Sequence, residues 1–123
     1  MNEDIKRNTY EIISRFLALI NSRDLDTLLR EFNVSKPVFE EIEESLEEYF
    51  GGITPIALAP YEKAFNAEKH KRPPLDIYSM NTENCFGVEC TLWINGKSSE
   101  PILHGELDLT GNKPIFRFKY IGS

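Results

Sequence analysis

The first half of the chain carries its apolar residues at helical spacing, in three runs separated by polar breaks. The first run ends at Asn21 and Ser22, and the second begins after Asp24, a typical N-cap residue, and closes at Asn33. The third extends from Ser35 to Phe50 and is followed by two glycines. The buried sides of the first two runs are expected to comprise Ile5, Thr9, Ile12, Ile13, Phe16, Leu17, Ile20, Leu25, Leu28, Leu29 and Phe32. The pattern therefore predicts three amino-terminal helices.

From Ile53 onward the pattern changes, because prolines exclude long helices and apolar residues begin to alternate with polar ones. The predicted segments are a short strand at Thr54 to Ala59, a helical turn at Tyr61 to Ala67, and strands at Leu75 to Met80, Phe86 to Ile94, Ile102 to Leu109 and Ile115 to Ile121. Asn95-Gly96 and Gly111-Asn112 supply the last two turns. The sequence thus predicts an α+β fold, with an antiparallel meander after three helices, in a single domain spanning residues 1–123.

The alternation also assigns the two faces of the meander. The apolar set, which the helices should cover, is Val88, Cys90, Leu92, Leu103, Leu107, Leu109, Phe116, Phe118 and Tyr120. The opposite parity places outside the sheet the charged or titratable residues Glu89, His104, Glu106, Asp108, Arg117 and Lys119, together with Trp93, Ile102, Ile115 and Ile121. The groups best suited to acid-base chemistry are therefore expected to lie away from the core.

Composition limits the classes of protein that fit. The chain is 41% hydrophobic and 28% charged, which is ordinary globular composition, and its net charge of −6 argues against general nucleic-acid binding. The local basic run at 69–72, Lys-His-Lys-Arg, precedes two prolines, and an exposed solubilising loop explains it more simply than a phosphate contact. The polar start of the chain and the shortness of its apolar runs predict no signal peptide and no membrane span, which favours a cytoplasmic protein.

The sequence carries no recognisable catalytic, cofactor or metal motif. Cys85 and Cys90 should point to opposite faces of one strand, so that we expect packing residues rather than a disulfide. His104, Glu106 and Asp108 share a strand face, but cross-strand ion pairs with Arg117 or Lys119 explain this spacing better than a metal site. We therefore predict a protein that is not an enzyme and has no metal or cofactor.

The most distinctive feature is the acidic side of the third helix. An apolar stripe at Phe39, Ile42, Leu46 and Phe50 lies beside what we call the acidic ridge, formed by Glu40, Glu43, Glu44, Glu47 and Glu48. Like charges one turn apart, and negative charge at the carboxyl end of a helix, both oppose helix stability. A basic partner would gain from such a field, although a solvated face that keeps the protein soluble is the simpler explanation.

Trp93 is the second candidate for a partner contact. Its parity sets it on the outer sheet face among charged residues, as is typical of an interface anchor. Two alternatives stay open. In the first, a loop or the turn around Tyr61 covers the indole. In the second, a homodimer through the outer sheet face buries it.

The order of elements resembles the NTF2-like, or cystatin-like, cone fold, in which amino-terminal helices pack into a curved antiparallel sheet. The similarity lies in segments 16–20 (FLALI) and 24–26 (DLD) and in the closing strands, with 90–93 (CTLW), Gly96, Ser98 and 106–107 (EL) similar to small bacterial domains of that superfamily. The resemblance implies the fold and brings no catalytic motif. The superfamily includes enzymes, ligand carriers and binding proteins.

Two functional hypotheses follow. The first is a bacterial immunity protein that neutralises a cationic toxin, in particular a nuclease, by stoichiometric binding through the acidic ridge and Trp93. The second is a small-molecule carrier or enzyme with an apolar pocket between the helices and the sheet, lined by Phe16, Ile20, Leu92, Phe116 and Phe118. The second hypothesis requires an open interior, whereas the first requires an exposed ridge.

Overall fold

The computed structural model describes residues 2–52, 54–68 and 71–123. Its helices are α1 (Glu3–Ser22), α2 (Leu25–Phe32), α3 (Lys36–Phe50) and α4 (Tyr61–Ala64), and its strands are β1 (Leu75–Ser79), β2 (Cys85–Ile94), β3 (Lys97–Asp108) and β4 (Ile115–Gly122). The four strands form one antiparallel sheet in the order β1-β2-β3-β4. The α+β class and the meander are therefore confirmed.

Local capping explains where the three long helices begin and end. The side chains of Asn2, Asp24 and Ser35 each accept a hydrogen bond from the first turn of the helix that follows. Arg23, Asn33 and Gly51 then leave the helices in the left-handed conformation. The predicted boundaries at Asp24, Asn33 and Ser35 are confirmed because these signals are encoded within a few residues of each end.

The segment between α3 and β1 is less regular than the sequence suggested. Residues 54–59 do not form the predicted strand, because only Ala57 pairs, in an isolated antiparallel bridge with Trp93. The predicted turn at 61–67 is helical only from Tyr61 to Ala64. The strand β3 starts at Lys97 rather than at Ile102, since its first residues pair directly across the Asn95-Gly96 turn.

A shift in strand register corrects the predicted faces near the end of the chain. His104 pairs with Tyr120 while Gly105 pairs with Phe118, so β4 contains one extra residue, Lys119, at this point. Beyond the shift the parity is reversed: Tyr120, predicted inside, is 54% exposed, and Ile121, predicted outside, is 9% exposed. A bulge of this kind cannot be recognised from alternation alone.

The core lies between the helices and the sheet, which α1, α2 and α3 all contact at β4. The ring of Phe16 packs against those of Phe32, Phe116 and Phe118, with centroids 5.2–5.6 Å apart. The prediction that Leu25, Leu28 and Leu29 of α2 are all buried was partly wrong. Leu28 is buried, but Leu29 is 55% exposed and Leu25 is 36% exposed. Leu29 lies about 100° around the axis from Leu28, away from the other buried residue, Thr27.

Candidate functional site

The acidic ridge lies on the solvent side of α3. Phe39 and Ile42 are fully buried and fix the orientation of the helix against the core, with Leu46 partly buried behind them. Of the five ridge residues, Glu40, Glu44, Glu47 and Glu48 are exposed. These four form no ion pair with any residue that the structure describes. The ridge therefore presents four carboxylates to solvent that no described residue pairs with.

Glu43 differs from the rest of the ridge because it has a partner within the chain. Its carboxylate forms an ion pair with the Arg23 guanidinium, and its side chain is partly buried. Arg23 is the left-handed C-cap residue of α1, and its guanidinium also lies 5.6 Å from the centre of the Phe39 ring. No pattern in the sequence indicated this pair, which joins the end of α1 to the middle of α3.

A cleft of about 360 Å³ lies directly beside the ridge, between the end of α1, α3 and the chain that follows α3. Its lining combines apolar and charged residues: Ile20, Asn21, Arg23, Glu43, Leu46, Glu47, Gly52, Thr54 and Pro55. Leu46 and Ile20 supply apolar surface, whereas Glu47 belongs to the ridge. The cleft can therefore take an apolar stem with a positive end group from another molecule.

The far wall of this cleft is held in place by Asn21. Its side-chain amide donates to the carbonyl oxygen of Ile56 at 2.8 Å and accepts from the Ile56 amide at 3.0 Å. The hydroxyl of Tyr10 donates to the carbonyl oxygen of Ala59 at 2.7 Å, which fixes the same segment further along. These long-range bonds bring residues 54–59 beside α1, and no local pattern in the sequence predicts them.

Trp93 does not join the ridge in a single site. The residue is partly buried and packs against the core, and its backbone exchanges two hydrogen bonds with Ala57, at 2.8 and 2.9 Å. Trp93 lines a different cleft, together with Lys63 of α4 and residues that follow α4. Two alternatives to an exposed anchor were open, a covering loop and a homodimer. Coverage of Trp93 by Ala57 and by residues that follow α4 agrees better with the structure.

The outer face of the sheet is a network of ion pairs. Arg117 contacts Asp108 at 2.8 Å and Lys119 contacts Glu106 at 2.6 Å, which confirms the predicted cross-strand pairs. Hydrogen bonds from the hydroxyl and amide of Thr110, followed by the bond from Arg117, lower the pKa of Asp108 to about 2. Within the described residues no three His, Cys, Asp or Glu side chains are grouped so that they could hold a metal ion.

Neither cysteine is in a disulfide, and the two differ in environment. Cys90 is buried, and desolvation raises the pKa of its thiol, whereas Cys85 is only partly buried. A protonated thiol in the core is a poor nucleophile, so Cys90 serves as a packing residue.

The chain was compared with protein-family models, with curated proteins and with solved structures, and none of the three comparisons found a match. Among the described residues, no helix has the length and apolar character needed to cross a membrane.

Proposed function

We propose that this chain is a protein-binding module, and specifically a bacterial immunity protein that neutralises a cationic toxin in the cytoplasm. The proposal rests on the exposed ridge carboxylates of α3 that form no ion pair with a described residue: Glu40, Glu44, Glu47 and Glu48. The proposed partner is a basic protein domain, with a nuclease favoured because its nucleic-acid site must be positively charged. Binding would occlude that site in a one-to-one complex.

The geometry around the ridge supports a protein partner. Charges of one sign on a rigid helix steer an oppositely charged protein and raise its association rate. The adjacent cleft adds a place where a long basic side chain can lay its stem against Leu46 while its charged end approaches Glu47. Charge and shape therefore favour the same class of partner.

The interior offers less support for a small-molecule carrier or enzyme of the NTF2-like class. Phe16 occupies the centre of the space where that pocket was expected, in contact with Phe116 and Phe118. Phe16, Leu92 and Phe116 are all buried, and close-packed rings leave little room for a ligand. The NTF2-like cone itself and a homodimer through the outer sheet face stay predictions.

The first experiment uses the protein as bait in a lysate of its own host, with two variants that change net charge equally. In the ridge variant, E44K/E47K, both substitutions lie on α3; in the control, E83K/E100K, two exposed glutamates outside the ridge are reversed. We expect wild type and control to retain a basic partner and the ridge variant to lose it. Association rates at low salt should fall about tenfold or more for the ridge variant only.

A second measurement tests the immunity part separately. The captured partner is assayed for nuclease activity, and one equivalent of the wild-type protein should abolish that activity. A ridge-dependent partner whose activity is unaffected would reject immunity and leave the binding module. Equal binding by the ridge and control variants would remove the acidic ridge from the mechanism.

A further inference from the structure

A second cleft, of about 330 Å³, lies between residues within 63–68 and 71–74 on one side and residues of strands β2 and β3 on the other. Its lining is Lys63, Asn66, Glu68, Lys71, Arg72, Pro74, Thr91, Trp93 and Ser98. A volume of this order suits a small molecule. The proposed function uses none of these residues, since the cleft beside the acidic ridge has a separate lining.

The residues that line the cleft include more cations than carboxylates, although the chain as a whole is acidic. Three cations and one carboxylate line it, against a net charge of −6 for the protein. Arg72 is engaged by Glu89 and lies 3.9 Å from Asp76. Lys71 is highly exposed and only 4.0 Å from Glu68, a pair of little strength in water. Lys63 forms no ion pair with a described residue.

Trp93 contributes a second, independent observation. Its indole nitrogen is buried, and it has no hydrogen-bond acceptor among the residues that the structure describes. Buried donors without an acceptor are uncommon in folded proteins, because such a group loses its hydrogen bonds to water without a replacement. The hydroxyl groups of Thr91 and Ser98 line the same cleft and add further hydrogen-bonding capacity.

We propose that this cleft binds a small organic anion. A flat ring lies against the Trp93 indole, and a carboxylate or phosphate group sits near Lys63 and Lys71. The indole nitrogen is closed to solvent in the free protein, so the ring turns on binding to bring its N–H to an oxygen of the ligand. This site is independent of the acidic ridge and of the proposed toxin partner, so either proposal can fail without the other.

The chain contains a single tryptophan, so its intrinsic fluorescence reports directly on this cleft. The purified full chain is titrated with adenosine monophosphate and with benzoate, and in parallel with adenosine and with inorganic phosphate. We expect a saturable change, at millimolar concentration or below, with at least one of the two ring-bearing anions. Adenosine and phosphate alone should bind about tenfold more weakly or worse. Response to adenosine monophosphate only indicates a phosphate ligand, and response to benzoate only a carboxylate.

A charge-matched pair of variants tests the assignment of the cations. K63A/K71A removes two cations of the cleft, and K36A/K113A removes two exposed lysines elsewhere. We expect about tenfold weaker binding for the first variant and unchanged binding for the second. No saturable response to either ring-bearing anion, equal binding of adenosine and adenosine monophosphate, or equal losses in the two variants would overturn the proposal.

Discussion

Asp108 shows how much one surface carboxylate depends on its immediate neighbours. It accepts hydrogen bonds from the Thr110 amide at 2.9 Å and hydroxyl at 2.6 Å, and from the Arg117 guanidinium at 2.8 Å. All three donors favour the ionised carboxylate, and they lower its pKa from 3.8 to about 2. The residue thus fixes the turn between β3 and β4 as long as it is charged.

We predict that D108N lowers the midpoint of thermal unfolding at neutral pH. Because the folded-state pKa is depressed, the stabilisation is complete above about pH 4 and is lost as the pH falls from about 4 to about 2. The difference in unfolding midpoint between wild type and D108N should therefore become smaller as the pH falls through this range. Thermal melts followed by circular dichroism measure it, with E100Q on the exposed part of β3 as the control. A difference that is independent of pH would contradict the prediction.

At the scale of elements, α3 combines good local design with a costly charge pattern. Its N-cap Ser35, its early proline and its left-handed Gly51 all favour the helix. Glu47 and Glu48, in contrast, add negative charge at the carboxyl end, where the macrodipole is already negative. Helix stability therefore does not explain these two residues, whereas attraction of a basic partner does.

We predict that E47Q/E48Q stabilises the isolated protein by about 0.5–1 kcal/mol, since it removes charge that opposes the macrodipole and two like-charge pairs. E40Q, nearer the amino end of α3, should change stability little. It removes the repulsion between Glu40 and Glu44, but it also removes a negative charge from the end of the helix where the macrodipole is positive. Urea unfolding provides the measurement. A loss of stability in E47Q/E48Q would mean that these carboxylates make stabilising contacts, and the case for a binding role would weaken.

In the sheet, the alternation of residues predicts the buried face of each strand only as far as the strand pairing stays regular. The alternation of β2, β3 and β4 gave the correct core positions up to the register shift at His104/Gly105, after which Tyr120 and Ile121 exchange faces. The ring of Tyr120 then stacks on His104 on the outer face, with centroids 4.1 Å apart. One extra residue reverses every later side chain, because the period of a strand is two.

For the whole molecule, Phe16 is the residue that connects the layers. It lies on α1 and contacts Phe32 of α2 as well as Phe116 and Phe118 of β4. Its full burial explains why the helices and the sheet share one core. The same contacts fill the space that an interior ligand pocket would need.

We predict that F16A destabilises the protein by about 3–5 kcal/mol, and that F16L costs clearly less because it keeps most of the buried volume. Domains of this size have about 5–15 kcal/mol of stability in total, so F16A should unfold at much lower urea concentration. Equilibrium urea unfolding compares the two variants. A cost below about 1 kcal/mol for F16A would indicate loose packing and would restore the pocket hypothesis.

The sequence by itself determined the α+β class, the three long helices with their ends, and the strands of the meander. These features depend on periodicity, caps and turn residues that act over a few positions. It also identified the acidic ridge, because a helix places residues three and four apart on one side. The cross-strand pairs of Asp108 and Glu106 were predictable as well, because residues on one face of neighbouring strands lie close together once the hairpin is assigned.

Only the tertiary structure decided what surrounds the ridge and the remaining candidate residues. Glu43 is paired because the end of α1 brings Arg23 to it, and the cleft exists because Asn21 holds Ile56. Trp93 is partly covered because Ala57 pairs with its backbone. Each of these contacts joins residues 20 or more positions apart, and their geometry is fixed by how the layers pack rather than by any local pattern.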